Sequence, residues 1–492
     1  MRRIVWLLGL LAIVVVGTVW WSSRNAIRLE PLDTQRFAQM SETEQVEWLI
    51  EQTLARSKRT GAFTPLSEEL SLSQGSAWEP VSYMEIDAIG MACVEYDLPH
   101  WLNRARRYMR QEADREHLMV YQAILQARKG DWQAAEQTVR RIRADAIKAL
   151  AWAHLGRLRA EAGQSDAAQQ SLDQARALLA RPTDLTNAAY YHCLTNAISL
   201  IINYSSIPER AETAAEFVQG LHDQRRSAAV WQVNEYYRRR GDVARLRAFA
   251  ALVSKSDRRD AEILLVRTLI EQGQAEAGLR LLARLGECRD IDLARIARAL
   301  HRQGRTQDAR TFADALRTRL LQDGFPQGHL SRHKPSTLRV STPYGEVRVQ
   351  LRRDYNTTHL LVQAYTEWGQ PDAAEQLIAV LPDEYFRVLQ RTNMAYVYHK
   401  MGHKAQARQH LERARTRGQQ GVSRVVLGRL QPVGTSIEIG CASAMCGEHP
   451  LALEVANTIP LPEQRGIVSC VLREYVFRRN AFWERLMGFP WE

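Results

Sequence analysis

The chain has 492 residues, 45% apolar and 25% charged, a balance that fits a folded globular protein and excludes a disordered or collagen-like one. Its net charge of +11 favours an acidic partner: a phospholipid surface, an anionic polymer or an acidic protein segment. Nucleic acid has the same sign but is not the expected partner, and the six scattered cysteines exclude a small disulfide-stapled scaffold.

Residues 1–23 read as a membrane anchor. Ile4 to Trp21 carry no charge, and their length of about 27 Å as a helix just crosses a hydrocarbon core. Trp20 and Trp21 stand where an interfacial aromatic belt lies. A cleaved signal peptide is the competing reading, but the run ends Thr-Val-Trp-Trp-Ser-Ser-Arg, without a small-x-small cleavage site. Arg2, Arg3 and the α-amine outweigh the charge that follows, which puts the N-terminus in the cytoplasm and the body outside, in the periplasm for a bacterium. Residues 24–80 come next. Ser41-x-x-Glu44 is a capping box opening a helix with Trp48, Leu49, Ile50 and Leu54, and residues 57–80 are rich in Ser, Thr, Gly and Pro, as in a linker.

From residue 81 a glycine recurs at helical-repeat spacing: Gly130, Gly163, Gly241, Gly273, Gly304, Gly369, Gly402 and Gly447. The steps 130→163 and 369→402 are 33 residues, 241→273 is 32, and 273→304 is 31. Five residues after the glycine the side chain is small at Ala135, Ala168, Gly278, Ala309, Ala374, Ala407 and Ala452, with Leu246 the exception. Four before it stand large apolar residues such as Tyr237, Leu269, Leu300, Tyr365 and Tyr398. This period predicts an all-α array of two-helix repeats. An earlier turn is expected at Asp97-Leu98-Pro99, an enlarged repeat turns near Ser206-Ile207-Pro208, and the step 402→447 carries about twelve extra residues.

These features resemble the tetratricopeptide repeat, a helix, a glycine turn and a second helix with alanine five residues on; Leu155-Gly156 matches that family's Leu-Gly pair. The likeness spans roughly residues 85–475, without most of the family's closing prolines or first-helix tryptophans. It implies a right-handed superhelical α-solenoid in two arrays, 81–320 and 355–479. Between them, 321–354 departs from helical patterning. A basic loop with His329, His333 and Lys334 precedes alternating Leu338, Val340, Val347, Val349 and Leu351 around Thr342-Pro343-Tyr344-Gly345, which predicts a β-hairpin.

No phosphate loop, dinucleotide fingerprint, nucleophile elbow or zinc-protease helix occurs, so no enzyme, cofactor or metal is expected. Cys441-x4-Cys446-x2-His449 splays its cysteines too widely on a helix for one ion, and His192-Cys193 are helix neighbours that do not face each other. The cysteines read as small core residues, an oddity if the compartment is oxidising.

The family resemblance implies that positions six, three and two before each turn glycine line the concave groove. There stand Arg157, Arg238, Arg239, Arg267, Arg298 and Arg302, a row suited to carboxylates or phosphates, joined by Trp231 and Tyr396. Glu161, Glu235 and Glu271 stand close enough to pair with them. The aromatic tail 480–492 reads as a cap on the last repeat. The function expected is a membrane-anchored scaffold holding a protein or acidic polymer segment in cell-envelope assembly. The alternatives are a polyanion or lipid-surface binder and the regulatory arm of an envelope enzyme.

Overall fold

The computed structural model describes residues 32–60, 81–109, 111–181, 188–323, 336–351, 355–381, 384–418, 423–426, 429–432, 435–459 and 461–487. The anchor, most of the linker, His329 and His333 lie outside them. Among the described residues no helix is long and apolar enough to cross a membrane.

The fold is all-α, with twenty-four α-helices and two small sheets among the described residues. The helices begin α1 Thr34–Gln39, α2 Glu42–Thr60, α3 Val81–Glu95, α4 Pro99–Tyr108, α5 Glu112–Arg128, α6 Trp132–Arg140, α7 Asp145–Glu161 and α8 Ser165–Leu179. They continue α9 Ala188–Tyr204, α10 Ala211–Gln219, α11 Asp223–Arg240, α12 Val243–Leu252, α13 Lys255–Glu271, α14 Ala275–Leu285, α15 Asp290–Arg302 and α16 Thr306–Asp323. The last are α17 Tyr355–Glu367, α18 Pro371–Ala379, α19 Glu384–Lys400, α20 Lys404–Gly418, α21 Ser436–Met445, α22 His449–Ala456, α23 Leu461–Arg479 and α24 Ala481–Met487. A 3-10 turn, Ile207–Glu209, separates α9 from α10 at the enlarged repeat.

All eight turn glycines have positive φ, from 66° to 83°, and Asp97 takes the same left-handed turn at 51°. The residue after each glycine donates its N–H to the carbonyl of the residue four before the glycine, as Asp242 does to Tyr237 and Gln370 to Tyr365. This satisfies carbonyls that the helix end leaves open, and glycine adopts the conformation without the backbone strain that a side chain brings. The small residue five positions on then sits under the first helix. A Cβ on Gly278 would stand 2.8 Å from Ile270 Cγ1 and 2.9 Å from the Val266 carbonyl.

Each odd-numbered helix from α3 onward packs on the next odd-numbered helix, and from α3 to α21 all but α9 also pack on the helix that follows; α10 reaches α9 through the 3-10 turn. The series does not end there. α23 packs on α3, the first member, and takes α2 from the other end of the chain as its partner. The odd-numbered helices therefore form a closed circuit. Polar bonds tie the closure. Arg465 Nε donates to Glu85 at 2.8 Å, Arg56 Nε to Gln464 at 2.9 Å, and Tyr475 Oη to Gln45 at 2.6 Å. Asn457 Nδ2 donates to the Leu32 carbonyl at 2.8 Å. One apolar cluster accordingly unites residues from Leu32 to Leu269 with residues from Val388 to Trp483. The capping box is present, with Ser41 N donating to Glu44 at 2.8 Å, but the helix it opens completes the final pair instead of standing apart. Its buried Val46, Leu49, Ile50 and Leu54 supply the apolar reason.

The larger sheet has the order β1-β3-β2. β2 Ser336–Thr342 pairs antiparallel with β3 Gly345–Leu351, and Val340, Val347, Val349 and Leu351 turn into the second apolar cluster. β3 also pairs in parallel with β1 Glu287–Arg289, a strand that no alternation marks because it is three residues long. β4 Ser423–Val426 and β5 Arg429–Pro432 pair inside the long step between Gly402 and Gly447.

Candidate functional site

The expected arginine row is present on the odd-numbered helices, but it is turned toward its own glutamates. Arg157 is 3% exposed and meets Glu161 at 2.8 Å. Arg238 bridges Glu235 at 2.8 Å and Glu271 at 2.7 Å, the latter on the next odd helix, and Arg267 meets Glu271 at 2.7 Å. Arg298 pairs with Glu367 on α17 and donates to Gln363 at 2.7 Å. Arg128 joins Glu95 on α3 at 2.7 Å in the same way. Arg239 and Arg302 are half exposed, with looser partners at 3.9 Å (Glu235) and 3.8 Å (Glu367). The row thus staples neighbouring pairs together near their glycine turns. Tyr396 is buried with Lys400 over its ring, while Trp231 is exposed.

The tail helix α24 lies against one part of this row, at Arg157, and against Lys400. Among the described residues the circuit has no free end for it to cover, because α23 is already flanked by α2 and α3. Trp483 is fully buried, with its ring 6.1 Å from Tyr121 and 5.7 Å from His154, and its indole N–H donates to Glu95 at 2.6 Å. The Arg157 guanidinium lies 4.0 Å over the Phe482 ring. Glu484 reaches Lys400 at 3.1 Å, while the helix also touches α9 on the other side of the circuit. The tail therefore crosses the turn end of the circuit.

Beneath it lies a buried polar cluster that sequence reasoning did not assemble. Asp87 on α3 accepts from Tyr121, and its two oxygens lie 2.9 Å from His117 Nε2 and 2.9 Å from His192 Nε2. Burial works against the Asp87 charge, but His117 and His192 together hold the carboxyl far below the usual range. Burial likewise opposes charging of His117, yet Cys193 and Asp87 raise it well above an ordinary histidine. Cys193 Sγ is 4.0 Å from His117, through the same Nε2 that faces Asp87. That nitrogen cannot also act as a free base toward sulfur, so the arrangement is an ion pair and not a nucleophile with its base. His192 points to Asp87 while Cys193 points to His117, as adjacency on a helix requires. Among the described residues no group of His, Cys, Asp and Glu is arranged to hold a metal.

A second buried group surrounds Arg298. His359 Nε2 lies 3.2 Å from Gln363 Nε2, and Gln363 donates to Asn393 at 3.2 Å. Burial, then the Arg298 charge, pulls the His359 imidazole down to about 3. A depressed histidine contributes stability above its unfolded value near 6.5 and loses it as pH falls toward the folded value. Acidification from pH 6.5 to 4 is therefore expected to destabilise the protein by a few kcal/mol through this residue, at about 1.4 kcal/mol per unit. Urea midpoints measured across that range should fall less steeply in His359→Gln.

The open feature lies elsewhere, between α12 and α14 over α13. It is a groove of about 1140 Å³ lined by Arg247, Arg258, Arg280, Arg284 and Arg305, against Glu262 and Glu276. Leu265, Leu269 and Leu281 contribute apolar wall. Arg258 is held by the Ala250 and Ala251 carbonyls at 3.2 and 2.9 Å, and Arg280 by Glu276 at 3.4 Å. Arg247 and Arg284 are exposed, and among the described residues neither meets a carboxylate within ion-pair distance. The groove lies at the one repeat whose residue five after the turn is large: with the buried Leu246 there, α12 packs more on α13 than on α11. Sequence reasoning missed these arginines because it followed the concave face that the resemblance implies, and all but Arg258, which opens α13, sit on the second helices and a turn.

No protein-family model matches the chain, and none of the curated proteins searched matches it either.

Proposed function

We propose that the chain is a membrane-tethered ring of tetratricopeptide-like helical hairpins with a β-hairpin insertion, serving as a scaffold that holds an acidic protein segment in cell-envelope assembly. The observation that supports this reading is the outer groove, whose apolar wall stands beside five arginines, of which Arg280 pairs with Glu276 at 3.4 Å and Arg305 with Asp308 at 2.6 Å while Arg247 and Arg284 are exposed. Arginine forks bind carboxylates bidentately, and leucine beside them suits an acidic segment with apolar side chains. The inner arginines support it less, being matched by Glu161, Glu235, Glu271 and Glu367. The extracytoplasmic placement of the ring rests on residues 1–23, their length and their flanking charge.

The test is fluorescence anisotropy of the detergent-extracted full chain with a labelled peptide of alternating Glu and Leu. Arg247→Glu with Arg284→Glu is expected to weaken binding at least about tenfold, the equivalent of 1.4 kcal/mol, with helix content unchanged. Equal affinity in the variant would refute the groove. Heparin or anionic vesicles that bind as tightly as the peptide, with affinity collapsing in salt, would instead select the polyanion-surface reading. A charge reversal at Arg298 is no substitute, because it strands Glu367 and reports on folding.

A further inference from the structure

We propose that Cys441 and Cys470 form a disulfide that locks the last two pairs of the circuit, while the other four cysteines stay reduced. Cys441 is on α21 and Cys470 on α23, adjacent odd-numbered helices. Their sulfurs stand 2.6 Å apart. Unbonded carbon atoms keep about 3.5–4.0 Å apart, and sulfur is larger, so two thiols do not rest at this separation. Both side chains are buried, so no solvent-exposed rotamer relieves the contact. The approach is set by the helices. Gly440 precedes Cys441, and a Cβ there would lie 2.3 Å from Ile467 Cδ1, so glycine lets α21 and α23 come together at this level.

No other cysteine shares this placement. Cys193 faces His117, and Cys93, Cys288 and Cys446 are buried with burial-raised thiols, unreactive as packed.

The oxidant is a disulfide, such as oxidised glutathione or a disulfide-carrying oxidoreductase. One thiolate of the pair attacks it, forming a mixed disulfide and expelling one thiolate. The other thiolate of the pair then attacks the protein sulfur of that mixed disulfide and expels the second. The protein loses two protons and two electrons, and the oxidant leaves as two thiols.

The reaction runs where the compartment is oxidising, which rests on the extracytoplasmic placement proposed above; the pairing itself does not. The experiment traps free thiols with N-ethylmaleimide in a denaturing buffer as cells expressing the full chain are lysed, so that buried thiols are reached, then digests the protein without reduction for mass spectrometry. The expected result is one linked peptide pair through Cys441 and Cys470, released by dithiothreitol, with Cys93, Cys193, Cys288 and Cys446 alkylated. In a second arm the folded, reduced protein is held with oxidised glutathione before trapping, and the same link is expected. A protein that stays fully alkylatable in both arms, or that links other cysteines, overturns the proposal. A link in the second arm alone upholds the pair and overturns the extracytoplasmic placement.

Discussion

Asp87→Asn is expected to destabilise the protein by about 3–5 kcal/mol, the usual cost of breaking a buried ion pair from one side. The amide keeps the shape of the carboxylate but removes its charge. His117 then loses the carboxylate that sustains its proton in a site 2% exposed. His192 and Tyr121 also lose a charged acceptor, so contacts from α3, α5 and α9 weaken together. Urea denaturation followed by circular dichroism checks this. His117→Gln alone should be nearly as costly, and the double variant should cost much less than the sum, since neither charge is left stranded. Strict additivity would show that the pair is not coupled. The sign with pH also follows. Asp87 is depressed, so its share of stability is present above about 3.9 and is lost as acid protonates it. His117 is raised, so its share is complete below about 6.5 and is lost as alkali deprotonates it. The wild-type advantage over Asp87→Asn should therefore be largest between those values.

Trp483→Ala is expected to cost about 3–5 kcal/mol through the cavity left by a fully buried indole. The loss is not confined to the tail. The indole N–H, Asn480 and Arg128 all converge on Glu95, and the ring fills the space between Tyr121 and His154. Trp483→Phe separates the two contributions, retaining most of the volume and losing the hydrogen bond to a charged group, worth about 1.5–3 kcal/mol. Released from its packing, α24 should also be cut by trypsin at Arg485 well before the body of the protein is digested. Equal digestion rates for Trp483→Ala and the unaltered chain would show that the tail is not held by this residue.

Much of the local structure was legible in the chain. Each turn glycine takes a left-handed conformation because a helix end needs one residue of positive φ, a requirement that leaves its mark on a single position. The small residue five positions later is equally local. The alternation from Leu338 to Leu351 marks β2 and β3, but β1 pairs with β3 from 56 or more residues away in sequence, and three residues carry no period to read. The candidate groove was less legible. Arg157, Arg267 and Arg298 were found in the expected helices, yet each is turned to an i,i+4 or cross-helix glutamate. The arginines of the outer groove come together from α12, α13, α14 and the turn before α16, a juxtaposition that no spacing rule encodes.

By itself, then, the sequence determined the units: helix, left-handed turn, helix, with a size rule at the contact, because these depend on residues within about ten positions of one another. The tertiary structure alone decided that α2 and α23 pair, that Asp87 meets His117 and His192, and that Trp483 is held against Tyr121 and His154. The reason is cumulative geometry. Each pair adds a small rotation to the one before, and whether the sum closes a circuit depends on every interface, so no single stretch of chain records it.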